Sequence, residues 1–434
     1  MQRKKSIVEI MEKYRKRVAD KLLKEQLESA GVVLIQGAKW CGKTTTAENM
    51  AASVLYMDNP STIRSNLMLA ENDPEFLLQG GTPRLIDEWQ LAPQLWDTAR
   101  FVVSRRGKPG QLIFTGSAVP ADMSKVTHSG TGRFAWLTMR PMTLWESGES
   151  NGSVSLEGLF SDAFQPVAAS NMQLEELAFI LCRGGWPGTL ELEHQAALRQ
   201  AINYIEAVCH SDISRADNVS RDADFALRLM RSYARHQGSQ ISNSMIYKDL
   251  VSNENGSMSE ETISAYLTAL KKIFVIEDMP AWNPNLRSKT AIRTSDTRYF
   301  VDSSIAAAAL GLGPQDLMYD LNTYGLLFET MAVRDLRVYA ESLDGRVYHY
   351  RDHNGLECDT VIHLRNGHYG LIEIKLGGDT LIDEGAQTLK KLTEKIDTTR
   401  MHAPSFLMVL TAVGAYAYQR PDGVMVVPIT CLKD

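Results

Sequence analysis

The chain has 434 residues, and at about 150 residues per domain this length predicts about three domains and excludes a single small module. Hydrophobic residues make up 44% and charged residues 23% of the chain, a globular balance that excludes disordered, collagen-like and coiled-coil proteins. The formal charge of −6 disfavours a protein that coats DNA tightly. The longest nearly apolar run, Phe406 to Tyr418, is shorter than the ~20 residues that span a membrane, so no membrane span is expected.

The N-terminal segment is basic and has no apolar stretch of the kind that marks a secretory signal, so a cytoplasmic location is expected. Its apolar residues recur every three to four positions, and this spacing predicts an amphipathic helix within residues 1–27. The cysteines are widely spaced and form no C-x-x-C pair, which argues against a disulfide framework and a cysteine zinc site. They are Cys41, Cys182, Cys209, Cys358 and Cys431.

Residues 28–150 alternate between apolar strands and longer helical or loop stretches. Val32–Gln36 predicts a buried strand that leads into Gly37, and the segment from Lys43 to Ala52 predicts a helix. Further strands are predicted at Val54–Met57, Arg84–Ile86 and Leu112–Phe114. This alternation predicts a mainly parallel α/β sheet.

Residues Gly37 to Thr44 read Gly-Ala-Lys-Trp-Cys-Gly-Lys-Thr and match the phosphate-binding pattern G-x-x-x-x-G-K-[ST] between a predicted strand and helix. Glycines let backbone N–H groups approach phosphate oxygens, and the helix N-terminus adds partial positive charge. We therefore expect Lys43 to reach the β- and γ-phosphates of ATP and the Thr44 hydroxyl to bind Mg²⁺. Trp40 is expected to pack over the site. The predicted nucleotide-binding residues are Gly37, Ala38, Lys39, Trp40, Cys41, Gly42, Lys43, Thr44 and Thr45.

Two further predicted strands end in residues suited to ATP hydrolysis. The strand at 84–86 leads into Asp87 and Glu88, where Asp87 is expected to hold Mg²⁺ and Glu88 to polarise the attacking water. The strand at 112–114 leads into Thr115-Gly116-Ser117. Thr115 or Ser117 is a candidate to contact the γ-phosphate or orient the water, and a plain Thr-Gly-Ser turn is the alternative.

Two arginines follow these strands. Arg133 and Arg140 are candidates for a cation that stabilises the transferred charge, supplied by the same or a neighbouring subunit. A structural or solvent-exposed role is the alternative for each. An arginine supplied by a neighbour requires a homo-oligomer, and the sequence leaves the oligomeric state open.

Residues 165–295 form a predicted second region that is rich in helical spacing. Helices at 245–250 and 259–272 followed by a strand at 274–279 give the order of a winged helix-turn-helix. Basic residues on or after the predicted wing are candidates for phosphate contacts, namely Arg287, Lys289, Arg293 and Arg298. The pair Glu260-Glu261 opens the second helix and repels phosphate, which favours a role in domain packing.

Residues 296–434 form the predicted third region, with a helix near 327–338 followed by three strands. Asp359 begins the second of these strands, and Glu373 and Lys375 end the third. Residues two apart share a face of a strand, so a hairpin brings all three side chains together. Two carboxylates and a lysine on one face can hold Mg²⁺ and activate water for phosphodiester cleavage. A solvated surface pair is the alternative.

The chain resembles a large family of prokaryotic AAA-type ATP-binding proteins in which a P-loop domain precedes a C-terminal domain similar to restriction endonucleases. The resemblance implies ATP binding and hydrolysis. It covers nearly the whole chain and depends on Tyr14-x-x-Arg17, Gly37 to Thr46, Ile86-Asp87-Glu88-Trp89-Gln90, Phe114-Thr115-Gly116-Ser117, Gly132-Arg133 and Gly184-Gly185-Trp186-Pro187.

The pattern of Asp359, Glu373 and Lys375 is similar to the PD-(D/E)-x-K nuclease core, in which a helical glutamate often joins the metal site. Glu329 stands at the matching position, so the resemblance implies a second metal site of Glu329, Asp359 and Glu373. The sequence departs from the pattern because Asp359 follows Glu357-Cys358 and not a proline. The superfamily also includes inactive members.

Together these features predict an α/β protein with an AAA-like P-loop domain, a helical and winged-helix middle region and a restriction-endonuclease-like C-terminal domain. The predicted function is that of a Mg²⁺-dependent ATPase that couples ATP to the binding or cleavage of nucleic acid. The alternative is an ATP-dependent conformational switch that recognises a protein partner and carries an inactive nuclease-like domain.

Overall fold

In the computed structural model of the protein, the described residues are 14–118, 129–168, 171–251, 259–284 and 295–434. The chain divides into two compact units. The first comprises the chain up to Pro141 with Ser211–Arg221 and Thr268–Val275, and the second comprises Met142–His210, Asp222–Leu267 and Ile276–Asp434. None of the helices in the described ranges has the length and apolar character needed to cross a membrane.

The first unit contains a five-stranded sheet, and its strand Val32–Gln36 is apolar up to its last residue. The helices and strands up to residue 141 are α1 (Val18–Ser29), β1 (Val32–Gln36), α2 (Lys43–Met50), β2 (Ser53–Tyr56), α3 (Ile63–Asn72), α4 (Pro74–Leu77), β3 (Arg84–Asp87), α5 (Leu95–Arg106), β4 (Leu112–Gly116) and β5 (Phe134–Thr138). The sheet order is β2-β3-β4-β1-β5, and every neighbouring pair is parallel. The predicted parallel α/β sheet is therefore confirmed. Of the helix predicted within residues 1–27, the part up to residue 13 lies outside the described residues, residues 14–17 are not helical, and the helix α1 begins at Val18, because Arg17 before it has an extended backbone.

The parallel arrangement gathers the carboxyl ends of the strands at one edge of the sheet. Gln36 of β1 is paired with Gly116 of β4 and Thr138 of β5, and Asp87 ends β3 beside Tyr56 of β2. One face of the sheet is covered by an aromatic cluster, which comprises Trp89, Trp96, Phe114 and Phe134. In an open α/β sheet, ligands bind at the carboxyl edge, and this packed core fixes the positions of the side chains there.

The middle of the chain is mainly helical. Its helices and short strands are α6 (Leu144–Ser147), β6 (Val154–Ser155), α7 (Leu156–Phe160), β7 (Val167–Ala168), α8 (Leu174–Arg183), α9 (His194–Ala207), α10 (Ile213–Arg215), α11 (Ala223–Arg235), α12 (Asn243–Val251), α13 (Glu260–Lys272), α14 (Ser303–Leu310) and α15 (Pro314–Tyr319). Val208–Asp212 forms a π-helical turn.

Two of the features expected of a winged helix differ from the structure. The segment 274–279 is not a strand, because Ile276 and Met279 make only isolated bridges, to Phe300 and Thr297. Arg298 donates to Ile241 O (2.7 Å) and Asn243 Oδ1 (2.8 Å). It therefore holds the start of α12 and does not project from a wing. Arg287, Lys289 and Arg293 lie outside the described residues.

The C-terminal part of the second unit contains a seven-stranded mixed sheet. Its elements are α16 (Leu321–Glu341), β8 (Gly345–Arg351), β9 (Glu357–Leu364), β10 (Tyr369–Lys375), α17 (Asp379–Lys395), β11 (Phe406–Thr411), β12 (Tyr416–Gln419), β13 (Met425–Pro428) and β14 (Leu432–Lys433). The order is β7-β12-β13-β11-β10-β9-β8, and β14 pairs with β6 instead. The strands β8, β9 and β10 are antiparallel neighbours, as the predicted hairpin requires. Leu389 of α17 packs with Leu371 and Val409 of the sheet.

Candidate functional site

The P-loop follows β1 directly, and its backbone takes conformations that favour glycine. Gly37 has φ +151° and Gly42 has φ +99°. A Cβ atom at position 37 would lie 2.0 Å from the carbonyl oxygen of Met139, so a side chain there would displace the loop. Trp40 also has a positive φ of +71° and is 55% exposed. The Trp40 side chain is therefore not packed into the protein core, and its packing over a bound nucleotide stays a prediction.

Lys43 is buried inside the loop at the start of α2. Its Nζ atom donates to the carbonyl oxygens of Gly37 (3.0 Å) and Ala38 (2.7 Å). Burying an ammonium group is costly unless it is satisfied, and these dipoles satisfy it without neutralising its charge. The group is therefore placed as a cation that can bind phosphate.

The remaining loop residues play different parts. Ala38 and Cys41 are buried, and the Cys41 thiol donates to Met139 O (3.4 Å). Thr45 is exposed. Lys39 forms an ion pair with Asp212 (Nζ–Oδ1 2.6 Å), a contact across 173 residues that no local sequence signal indicates.

Asp87 lies at the end of β3 and accepts hydrogen bonds from two hydroxyl groups. Thr44 Oγ1 donates to its Oδ1 atom (2.8 Å), and the buried Thr115 Oγ1 donates to the same atom. Burial raises the pKa of Asp87, while these hydroxyl groups and the Lys43 charge act against that rise. The pair of Thr44 and Asp87 supplies the hard oxygen ligands that Mg²⁺ requires. Thr115 acts on Asp87 in this structure, so the predicted role of Thr115 toward the γ-phosphate stays a prediction.

Glu88 follows Asp87 in a left-handed backbone conformation with φ +53°. Its Oε2 atom accepts from Ser117 Oγ (3.2 Å) and from Gln90 Nε2. Burial raises the pKa of Glu88, and the nearby Lys43 charge acts in the opposite direction. A non-glycine residue held in this backbone region by its surroundings is typical of functional sites. Gln90 was noted in the sequence only as part of the resemblance.

The structure separates Arg133 from this site. Arg133 precedes β5, whose first residue pairs with Val32 at the start of β1, whereas the P-loop follows Gln36 at the end of β1. The four residue steps from Val32 to Gln36 span about 13 Å, so Arg133 lies at the opposite edge of the sheet. It is exposed and contacts Ser104. The prediction that Arg133 acts on the P-loop of its own chain is therefore wrong. Arg140 is buried, and its carbonyl oxygen accepts from Arg17.

The second group of predicted site residues does come together in the C-terminal sheet. Lys375 Nζ lies 3.1 Å from Asp359 Oδ2 and 2.7 Å from Glu373 Oε2. The backbone N–H of Ile374 donates to Asp359 Oδ2 (2.7 Å). A Cβ atom at Gly385 of α17 would lie 3.2 Å from Glu373 Cβ, so a glycine makes room beside this carboxylate.

Glu329 of α16 joins this group through an open cleft that it lines together with Asp359 and Tyr299. The Tyr299 hydroxyl donates to Glu329 Oε1. Burial, with the Asp359 charge second, raises the pKa of Glu329 to about 8, and the same two causes raise the pKa of Glu373 to about 8. Sequence reasoning missed Tyr299, which lies 30 residues from its partner.

The Lys375 ammonium group lies between the carboxylates that were predicted to hold a second metal ion. Among the described residues, no group of three or more His, Cys, Asp and Glu side chains is arranged so that it could hold a metal ion. Glu329, Asp359 and Glu373 are therefore neighbours without forming a metal site in this structure. The ion pairs with Lys375 give the physical reason, because the two nearest carboxylates already have a cation as their partner.

Comparison with known proteins divides the chain into three matched segments. Residues 29–147 match a family described as AAA domain. Residues 174–316 and 324–432 match two families described as Domain of unknown function (DUF8612) and Domain of unknown function (DUF4143). No single family model covers half of the chain.

Two mycobacterial proteins are similar over most of the chain. They are Uncharacterized protein Mb2031c of Mycobacterium bovis and Uncharacterized protein Rv2008c of Mycobacterium tuberculosis. Each is 24% identical over 359 residues, which cover 81% of this chain and 72% of the relative.

Two solved structures are also similar. The Walker-type ATPase PABY2304 of Pyrococcus abyssi covers 69% of this chain and 96% of its own, with 16% identity and a TM-score of 0.41. The Aeropyrum pernix ORC1 protein in complex with DNA covers 68% and 92%, with 14% identity and a TM-score of 0.25. Both TM-scores are too low to establish a shared overall fold. The match to the AAA domain family and the P-loop geometry together support an AAA-like, ATP-binding P-loop domain within residues 29–147.

Proposed function

We propose that this protein hydrolyses ATP in a Mg²⁺-dependent reaction at the carboxyl edge of the first sheet. The observation that carries the proposal is the position of Glu88, a buried carboxylate held by Ser117 and Gln90 next to Asp87 and within the electrostatic reach of Lys43. A buried base, a hydroxyl-bound carboxylate and a cationic P-loop are the parts that phosphoryl transfer to water needs.

Each residue has a distinct task in this reaction. The P-loop backbone and Lys43 bind the β- and γ-phosphates. Thr44 and Asp87 would hold Mg²⁺, and a bound ion would supply positive charge against the charge that develops on the phosphate oxygens. Glu88 accepts a proton from the attacking water, whose oxygen forms a bond to the γ-phosphorus while the bond to the β-phosphate oxygen breaks. Burial of Glu88 raises its pKa and makes the carboxylate a stronger base.

The test is steady-state phosphate release by the purified full chain with ATP, in Mg²⁺ and in excess chelator. We expect saturable release in Mg²⁺ only, and a marked loss in Asp87→Asn at low Mg²⁺ that higher Mg²⁺ partly restores. Glu75→Gln, an exposed acid of α4, is the control. Phosphate release that does not depend on Mg²⁺, or that is unchanged in Asp87→Asn, would contradict the role proposed for Asp87 in holding Mg²⁺.

An arginine that stabilises the transition state at this site is a separate proposal. Because Arg133 lies at the far edge of the sheet in its own chain, it can serve only the P-loop of a neighbouring copy. Mixing Arg133→Ala with Lys43→Ala chains tests this, because an assembly that shares sites would recover activity at some of them. A monomeric, fully active protein would rule out Arg133.

A second candidate function is cleavage of nucleic acid by the C-terminal sheet under the control of ATP. The favouring observation is that β9 and β10 bring Asp359, Glu373 and Lys375 together, and that Asp359 lines one cleft with Glu329 of α16. In a nuclease of this type, the carboxylates would hold Mg²⁺ once it displaces the ion pairs, and Lys375 would orient the attacking water.

Cleavage is tested by incubating the protein with single- and double-stranded DNA and RNA, in Mg²⁺ or Mn²⁺, with and without ATP. Products that vanish in the Glu373→Ala/Lys375→Ala double variant, and persist in Glu394→Ala/Lys391→Ala with its changes on the exposed face of α17, would support a nuclease. Absence of products with ATP turnover intact would favour a switch that recognises a protein partner.

A further inference from the structure

Arg17 lies before α1, outside the P-loop motif, and is buried at 6% exposure. Its guanidinium group donates through Nη1 to the carbonyl oxygen of Cys41 and through Nη2 to that of Arg140, both at 2.8 Å. Cys41 belongs to the P-loop, and Arg140 lies two residues beyond β5. One side chain therefore ties the P-loop to the end of the neighbouring strand, across 24 and 123 residues of sequence.

The contact with Cys41 controls the orientation of a peptide group inside the loop. In a trans peptide, the C=O and the following N–H point in opposite directions. Holding Cys41 O therefore turns the N–H of Gly42 away from Arg17. Gly42, with φ +99°, permits rotations of this segment that other residues resist, so a fixed carbonyl is needed to keep the N–H in one direction.

The backbone of Arg17 is itself held in place by a short polar network. The N–H of Arg17 donates to Asp20 Oδ2 (3.0 Å), and the Tyr14 hydroxyl donates to Asp20 Oδ1 (2.6 Å). The same hydroxyl lies 3.0 Å from Thr46 Oγ1 in α2. The segment before α1 therefore contacts the P-loop through Arg17 and the helix α2 through Tyr14.

We infer that Arg17 is a positioning residue for nucleotide binding, which holds the Cys41–Gly42 peptide so that the Gly42 N–H faces the phosphates. The inference rests on the proposed binding of ATP at the P-loop. Arg17 acts from behind the loop and does not touch the nucleotide. Its removal should therefore weaken the binding of both ATP and ADP, which share the α- and β-phosphates. The rate of the chemical step should stay nearly unchanged.

The test compares wild type, Arg17→Ala, Arg17→Lys and the exposed neighbour Lys16→Ala by calorimetric titration with ATP and with ADP. Loss of an aligned N–H donor to a charged phosphate predicts about a ten- to hundredfold weaker affinity of Arg17→Ala for both nucleotides. The kcat at saturating ATP should change less than about threefold. Arg17→Lys keeps the charge but lacks the planar two-donor geometry, so it should fall between, and Lys16→Ala should match wild type.

Thermal melting without nucleotide shows whether each variant is folded. A folded Arg17→Ala with wild-type affinity would overturn the inference, and so would a kcat that falls while the affinity is unchanged. If Arg17→Ala does not fold, wild-type affinity in Arg17→Lys overturns it in the same way. Failure of wild type to bind either nucleotide would refute the proposed function itself. The wild-type titration shows this outcome before any variant is compared.

Discussion

The P-loop site and the C-terminal group of Asp359, Glu373 and Lys375 each combine a lysine with acidic side chains, but they pair these charges differently. Lys43 donates to two backbone carbonyls, while Asp87 and Glu88 accept from hydroxyl and amide groups. In the C-terminal sheet, Lys375 forms ion pairs with both neighbouring carboxylates, Asp359 and Glu373.

This difference decides which kind of ligand each site suits. A cation bonded only to carbonyl dipoles keeps its charge for an incoming anion, so the P-loop is prepared for phosphate. A lysine shared by two carboxylates, with Glu329 nearby, leaves excess negative charge in a buried place. Burial, with the Asp359 charge second, raises the pKa of Glu329 and Glu373, and these carboxylates suit a cation or a proton.

The largest expected effect tests the base at the P-loop site. Glu88→Gln removes the proton acceptor but keeps the side-chain shape, so ATP should still bind while the single-turnover rate falls about 10²- to 10⁴-fold. Rapid quench with radiolabelled ATP measures this rate, and Glu75→Gln is the control. Wild-type turnover by Glu88→Gln would remove Glu88 from its assigned role.

The next effect concerns the unneutralised charge of Lys43. Lys43→Ala should weaken ATP binding by about a hundredfold or more, because a buried cation that contacts phosphate is lost. Calorimetric titration measures the affinity, with Lys24→Ala on the exposed face of α1 as control. Tight ATP binding by Lys43→Ala would mean that nucleotide binds elsewhere.

Replacing Lys375 in the C-terminal sheet should lower the stability of the folded protein. Lys375→Met leaves Asp359 and Glu373 without their cation, and breaking such a pair should lower the free energy of unfolding by ~3 kcal/mol at pH 8. Urea denaturation measures the change, and Lys391→Met on α17 is the exposed control. A variant as stable as wild type would show that the pair contributes little to folding.

The smallest expected effect is a change in pH dependence. Because the folded pKa of Glu329 lies above the ordinary 4.5, the folded state binds its proton more tightly, and this stabilisation is lost as pH rises from about 4.5 to 8. Glu329→Gln should therefore become more stable relative to wild type as the pH rises from 5 to 8. Glu394→Gln, which changes an exposed acid of α17, is the control and should show no such change relative to wild type. If the free energy of unfolding changed with pH in the same way for Glu329→Gln and wild type, the raised pKa of Glu329 would be contradicted.

Much of both sites could be predicted because their residues are close in sequence. The P-loop is one contiguous motif, and Asp359, Glu373 and Lys375 belong to adjacent strands of one hairpin. Thr44 and Asp87 were each predicted to hold Mg²⁺, and they lie together because parallel strands end at the same edge of the sheet.

The same rule, applied strictly, would have excluded Arg133, which precedes its strand and does not follow it. Contacts that join distant segments could not be predicted, since no local spacing encodes them. Arg17 with Arg140 and Tyr299 with Glu329 are such contacts. The segment 274–279 begins with three apolar residues like a strand, yet it makes only single bridges, because pairing partners and not composition decide strand formation.

The most direct test of the account is a single-turnover experiment with the full-length chain in excess over ATP. ATP is bound first in chelator, and Mg²⁺ is then added while phosphate is followed in time. The account predicts one phosphate released per bound ATP in wild type, and bound but intact ATP in Glu88→Gln. Bound ATP that stays intact in wild type after Mg²⁺ is added would contradict the assignment of this site as an ATPase.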